Sequence, residues 1–257
     1  MHLSILQLNL YCLNFLDDVE KYLQTHSFDI LNLQEVAGKD TFTRVIKNKK
    51  DNLELLIKML GPKYTHFFVK NDQITSSPTA YFGNATFVRS SLTVMHQEIF
   101  WLYQRPKPYS AMSQQYDEMS RSVLGVQILT GQKPLWIFNT HLAWSKSSKD
   151  TLIKVEQGTK LIKYISQVQT PFVLTGDFNV DSTSKVVKGL EKYARNLTAE
   201  NHLLTTLNPR THRVKDLFPP GLAVDYIFVS KDLKVEKFAV VEEDVSDHFG
   251  LIVEIEI

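Results

Sequence analysis

The chain has 257 residues, 43% hydrophobic and 22% charged, which is enough to bury a sizeable core and excludes disorder as the main state. Its 29 basic and 28 acidic side chains leave a formal net charge of +1. A general positive coat for nucleic acid is therefore excluded, and any polyanion site must be a local patch.

The chain begins Met1-His2-Leu3-Ser4-Ile5-Leu6, with no basic segment leading into a long apolar stretch. No run of about 18 apolar residues follows anywhere. A soluble cytoplasmic monomer with no stable membrane association is expected, organised as one domain over 1–257. Leu3 to Leu10 reads as a buried strand. Cys12 is the one cysteine. It excludes an internal disulfide and a thiolate zinc centre, and reads as a small buried apolar residue. Residues 15–24 have helical spacing, with Asp17 and Asp18 in the first turn where the helix dipole favours acids. A short buried strand follows over 29–34. The spacing of Phe42, Val45, Ile46, Leu53, Leu56, Met59 and Leu60 predicts a helix over 41–60, capped by Asp40 and stopped by Gly61-Pro62. Strands are expected at 64–70, 81–89, 91–101, 121–129 and 134–140. Then come an amphipathic helix over 151–168, a buried strand over 171–175 and a short helix near 182–193. Strands at 223–229, 233–241 and 249–257 close the chain. Interleaved helices with several consecutive strands fit mixed sheets covered by helices.

Two irregular stretches stand apart. Tyr103 to Met119 carries Arg105, Lys107, Tyr109 and Tyr116. Leu204 to Gly221 carries Arg210, His212, Arg213 and Lys215. Both read either as surface loops or as substrate-contacting loops on a rigid scaffold.

The chemistry concentrates at strand ends, where apolar runs terminate in polar residues that a core would reject. These are Asn9, Gln34-Glu35, Asn139-Thr140-His141, Gly176-Asp177-Phe178-Asn179 and Ser246-Asp247-His248. Each alone is an ordinary terminus or turn. Five strands delivering acids, amides and imidazoles suggest one convergent site. Glu35 suits a hard divalent cation, which takes carboxylate oxygen. Asp177 can orient or deprotonate a water. Asn9, Asn179, His141 and His248 can supply donors to a phosphate.

In order along the chain, Leu33-Gln34-Glu35, Asn139-Thr140-His141, Gly176-Asp177-Phe178-Asn179, Val224-Asp225-Tyr226-Ile227 and Ser246-Asp247-His248 resemble the motifs of the endonuclease/exonuclease/phosphatase superfamily. Asn9 resembles its N-terminal asparagine. The resemblance implies a four-layer α/β sandwich with two packed mixed β-sheets flanked by helices. It implies a Mg²⁺-dependent phosphoester hydrolase, with Mn²⁺ as a substitute. Glu35, Asn9 and Asp247 would serve the metal, and Asp177 would position or activate water. Asn179 and His141 would hold the phosphate, and His248 would contact it while oriented by Asp225. A carboxylate in that position fixes the tautomer of a catalytic imidazole. Arg121, at the start of a strand, is a phosphate contact on this reading or else a solvated arginine. Tyr109 or Tyr116 would be the phosphate-binding tyrosine.

Departures from the family pattern leave the branch open. Leu222-Ala223-Val224 replaces a basic residue before Asp225, Val36 replaces a lysine after Gln-Glu, and Leu8 replaces a tryptophan before Asn9. The two basic-aromatic loops point to DNA or RNA as substrate, giving a nuclease or nucleotide phosphodiesterase. The near-neutral charge points to a phosphatase or a phospholipid or sugar-phosphate phosphodiesterase. An inactive binding scaffold is the reading from a different class, and the full set of site residues argues against it.

Overall fold

A computed structural model describes residues 2–41, 49–73, 77–104, 119–213 and 221–256. Two six-stranded mixed sheets pack face to face. The first runs β11 (Lys234–Val241), β12 (Gly250–Glu256), β1 (His2–Asn9), β2 (Ile30–Ala37), β4 (Tyr81–Arg89) and β3 (Tyr64–Gln73). The second runs β5 (Thr93–Tyr103), β6 (Arg121–Thr130), β7 (Lys133–His141), β8 (Phe172–Asp177), β10 (Asp225–Ser230) and β9 (Ala194–Asn196). Among these neighbours only β1–β2 and β7–β8 pair in parallel. A parallel pair needs a crossover connection, and helices supply it. These are α1 (Leu16–Thr25) after β1 and α3 (Leu152–Ile165) after β7.

Helices cover both outer faces. Val19 and Tyr22 of α1 and Leu56 of α2 (Asn52–Leu60) pack with Leu6, Leu8, Leu31, Leu33 and Phe87 of the first sheet. Leu161 and Ile165 of α3, with Val186, Val187 and Leu190 of α4 (Lys185–Leu190), pack with Phe138, Leu174, Tyr226 and Phe228 of the second. The result is the four-layer α/β sandwich that the motifs implied. No helix among the described residues is long and apolar enough to cross a membrane.

The expected helix over 41–60 is corrected. It begins at Asn52, and its cap is Asp51, whose carboxylate accepts from Glu54 N at 3.1 Å. Asp40 accepts instead from the hydroxyls of Ser77 and Thr79. Asp51-x-x-Glu54 is itself a capping-box pattern, and it wins because the side chain reaches the first free amides of the turn. Phe42, Val45 and Ile46 lie outside the described residues. Gly61, at φ 62°, ends the helix as anticipated. Strand β9 and the short α5 (Leu197–Glu200) are too brief for hydrophobic periodicity to announce.

The period-two alternation of the strands decides what lies between the sheets. At one end the inward residues are apolar: Leu3, Ile5, Ile30, Val126, Ile128, Ile137, Val173, Ile227 and Val253. Burying each such side chain contributes about 1.5–3 kcal/mol. Toward the other end the same inward rows turn polar. Leu3 and Ile5 continue to Gln7 and Asn9, Ile30 to Asn32 and Gln34, Ile137 to Asn139 and His141, and Val173 to Thr175 and Asp177. The amides then bond across the sheets. Gln7 Nε2 donates to Asp225 Oδ1 at 3.0 Å and to Gln34 Oε1 at 3.0 Å. Gln34 Nε2 donates to Asn139 Oδ1 at 2.8 Å, and Asn139 Nδ2 to the carbonyls of Leu33 and Ala85 at 3.2 and 2.9 Å. Asn32 Nδ2 donates to Thr175 Oγ1 at 2.9 Å while its oxygen accepts from Thr86 at 2.8 Å.

Gly176 lies where β8 presses on β7. A Cβ there would stand 2.0 Å from the Thr140 carbonyl oxygen. Gly176→Ala is expected to cost about 1–3 kcal/mol through overpacking, lowering Tm by several degrees. Thermal unfolding checks this, and an unchanged Tm would contradict the close approach.

Candidate active site

Strand register assembles half of the site. His141 pairs with Asp177 across β7–β8, and Asp177 with Asp225 across β8–β10. Directly opposed residues on neighbouring strands point to one face, so the three side chains form a row. His141 Nε2 stands 3.6 Å from Asp177 Oδ2. The isolated bridge Leu207–His248 brings the segment before β12 to the end of this row. His248 Nδ1 donates to Asp225 Oδ2 at 2.8 Å, and its Nε2 faces Asp177 at 3.9 Å and Asp247 at 4.0 Å.

The first sheet supplies the other half. Asn9 Nδ2 donates to Asp177 Oδ2 at 2.9 Å, and its oxygen accepts from Tyr11 N at 3.0 Å. Alternation along β2 would send Glu35 to the helix side, opposite Gln34. The β2–β4 register shifts between Leu33 and Val36, and Glu35 takes a left-handed φ of 57°. This bulge swings its carboxylate into the cleft beside Asp177. Behind it Tyr11, Cys12 and Leu13 form a left-handed turn at φ 46°, 56° and 53°. L-residues resist that region by about 1–2 kcal/mol each. Cys12 is buried, as expected, but not idle packing: its Sγ lies 3.7 Å from Glu35 Oε2.

The electrostatics follow from crowding carboxylates out of water. Burial pushes Asp177 up to about 6, aided by Asp225 and opposed by His248 and by the hydrogen bonds from Asn9 and Asn179. Burial pushes Asp247 up to about 7. Burial likewise raises Glu35, against the pull of His248 and the Asn9 hydrogen bond. Burial alone would lower His248, but Asp225, Asp177 and Asp247 together hold it well above the usual histidine range. His141 is the opposite case. Burial, with Arg121 and His248 nearby, keeps it well below that range and therefore neutral. Glu35, Asp177, Asp225 and Asp247 thus face Arg121 and His248 as the nearby cationic partners. A site with that excess of oxygen donors could hold a hard divalent cation, and Glu35, Asp177 and Asp247 are among the carboxylates that line the cleft.

The cleft has a volume of about 590 Å³. Of the residues singled out in the sequence, Glu35, Arg121, His141, Asp177, Asn179, Asp247 and His248 line it. Asn9 and Asp225 stand behind that wall, bonded to Asp177 and His248. Arg121 is buried, so the solvated-arginine alternative falls. Burial lowers its affinity for the proton, and Asp72, Glu35 and Asp177 oppose that. Tyr109, Tyr116, Arg105, Lys107 and Lys215 lie outside the described residues. The second irregular stretch divides. Arg210 is engaged by Asp244 at 2.7 Å, which makes it a brace. His212 and Arg213 line the cleft, with His212 Nε2 3.9 Å from Asp247 and the Arg213 guanidinium over the Tyr11 ring. Tyr11, Asp72 and Trp144 also line it and carried no signal in the sequence beyond residue type. Trp144 stays 44% exposed there, which makes it an aromatic surface open to a ligand.

Residues 6–248 match the sequence profile of the Endonuclease/Exonuclease/phosphatase family. No curated protein sequence matches the chain. Among solved structures it is similar to an endonuclease/exonuclease/phosphatase from Bacteroides vulgatus, at TM-score 0.72 and 19% identity over 100% of this chain and 99% of that one. It is similar to the mannosyl-6-phosphatase of Bacteroides thetaiotaomicron VPI-5482, at 0.70 and 20% over 99% and 100% of the two chains. The human Nocturnin catalytic domain, solved with a bound sulfate anion, follows at 0.69 and 17% over 99% and 93%. At these identities the likenesses speak to the fold. The profile spans nearly the whole chain, and the chain belongs to the endonuclease/exonuclease/phosphatase family, whose members are phosphoester hydrolases.

Proposed function

We propose that the chain is a Mg²⁺-dependent phosphodiesterase or nuclease that cleaves by in-line attack of water. The carrying observation is the half-buried Glu35 with the buried Asp177 and Asp247 beside the Asp225–His248 pair at one cleft. Glu35 and Asp247 would hold the cation, with Mn²⁺ as a substitute, and Asn9 keeps the site in shape through Asp177. When bound, the cation supplies charge neutralisation and polarises a phosphoryl oxygen.

The chain's own groups do the rest. Asp177, at about 6, is a stronger base than an ordinary aspartate and is still mostly ionised at neutral pH. It accepts a proton from the attacking water as the new oxygen–phosphorus bond forms, while the ester oxygen departs with the electron pair of the broken bond and takes its proton from solvent. His248 keeps its proton and donates through Nε2 to a non-bridging oxygen, while Asp225 fixes its orientation. Asn179 and Arg121 face the same space and add donors.

A second reading has support of its own. With Arg210 committed to Asp244, the described lysines and arginines lining the cleft are Arg121, Lys146 and Arg213. Trp144, Met119, Phe82 and Leu222 give it apolar walls. A small phosphoester, such as a nucleotide or a sugar phosphate, suits that balance better than a long polyanion.

Hydrolysis of bis(p-nitrophenyl) phosphate is expected with Mg²⁺ or Mn²⁺ and not with EDTA. Glu35→Gln, Asp177→Asn and His248→Ala should each lower kcat by about 10²–10⁴. Near-wild-type kcat in any of them would refute the role given to that residue. If nucleic acid is the substrate, Arg213→Ala weakens its binding and makes the salt slope shallower by roughly one ion. Arg210→Ala should leave that slope unchanged, and equal slopes for wild type and Arg213→Ala favour the small phosphoester. Histidine NMR titration of the metal-free chain checks the electrostatics. His248 should stay protonated at pH 7, because its value is raised, and His141 should stay neutral. In Asp225→Asn the His248 value should fall, because the largest of the raising contributions is gone while burial stays. An unchanged His248 value would show that Asp225 is not what holds its proton.

A further inference from the structure

Lys154 takes no part in the chemistry above, yet it is a fully buried lysine in the first turns of α3. Its Nζ donates to the carbonyl of Asn179 at 2.8 Å and to the carbonyl of Ser147 at 2.5 Å. Bonds from an ammonium to backbone carbonyls are stronger than neutral ones and offset the burial of the charge. Three residues on, and hence on the same helix face, Gln157 is also fully buried. Its Oε1 accepts from Ala143 N at 2.9 Å. One polar face of α3 therefore grips two segments: the one that leaves β7 after His141, and the one that leaves β8 after Asp177.

The second grip has a particular target. Asn179 is held at a left-handed φ of 53°. Its amide N donates to Asp177 Oδ1 at 2.9 Å, and its Nδ2 to the Leu142 carbonyl at 3.1 Å. The Lys154 bond secures the remaining backbone group of this residue. Asp177 receives one oxygen's bond from Asn9 and the other's from Asn179 N, so the turn at Asn179 sets one of the two ties that aim its carboxylate.

We propose that Lys154 is a positioning residue that locks the left-handed turn at Asn179 and, through it, the aim of Asp177. The kinetic consequence rests on the hydrolase reading, whereas the structural consequence does not. Both are measured with Lys154→Met in the full chain. Hydrogen exchange should accelerate about tenfold or more over 142–148 and 176–180, with β1 and β12 as protected as in the unaltered chain. With bis(p-nitrophenyl) phosphate, kcat should fall about tenfold or more, and less than about threefold when Asn179→Ala is already present, because that change, by removing the Nδ2–Leu142 bond and the tolerance of asparagine for the left-handed region, already loosens the same turn. Lys154→Arg, which keeps charge and donors, should recover most of kcat. Exchange that is unchanged in those segments, or faster uniformly along the chain, would overturn the proposal, as would equal kcat losses in both backgrounds. If Lys154→Met does not fold, Lys154→Gln, too short to reach both carbonyls, is read by the same criteria. Absence of turnover in the unaltered chain would count against the hydrolase reading alone, and the exchange measurement would still decide the role of Lys154.

Discussion

Amide and hydroxyl side chains sealed between two β-sheets must find their partners in the groups that face them across the gap. That requirement governs this molecule. Gln7, Asn32, Gln34, Asn139 and Thr175 are fully buried, and their bonds run from one sheet to the other. An apolar interface tolerates small slips, because dispersion and burial are nearly indifferent to direction. A layer of amides does not, because each bond left unmade costs about 1–3 kcal/mol. The sheets are therefore keyed in one relative position, and the acids and histidine one step further along the same rows inherit that alignment.

The rows end in charge. Past Gln7 and Asn139 the same inward positions hold Asn9, His141, Asp177 and Asp225, all of them buried. Crowded carboxylates raise one another and hold His248 in its protonated form. The same field explains why the two histidines differ. His248 has Asp225 at 2.8 Å, whereas burial, with Arg121 and His248 nearby, keeps His141 well below the usual histidine range. One fold holds differently charged groups side by side through the balance of burial against neighbouring charge.

Strained backbone gathers at the same end. Tyr11, Cys12, Leu13, Glu35 and Asn179 all have positive φ, and four of them line the cleft. Such conformations persist only where surrounding contacts over-determine them. The contacts are visible: the Asn9 side chain on Tyr11 N, and the Lys154 ammonium on the Asn179 carbonyl. Stability generated by the apolar end of the sandwich supports unfavourable geometry at the polar end.

The sequence by itself determined most strands, most helices and the residue types gathered at the candidate site. Period-two alternation marks a buried row, and a polar residue in that row has no core use, so Asn9, Asp177 and His141 were legible one strand at a time. The ordered motifs then implied the sandwich and the family. Tertiary structure alone decided which groups meet and at what distance. Glu35 faces the cleft because a bulge reverses the alternation that would have hidden it. Arg121 is buried because of what packs over the start of β6, and Arg210 is a brace because Asp244 lies within reach. Lys154 and Gln157, polar residues in the stretch read as an amphipathic helix, form a buried clamp because two loop carbonyls and an amide come to them. Local pattern records which face a residue takes on its own element. Contacts between residues far apart in the chain depend on how elements are stacked, and no local period encodes that.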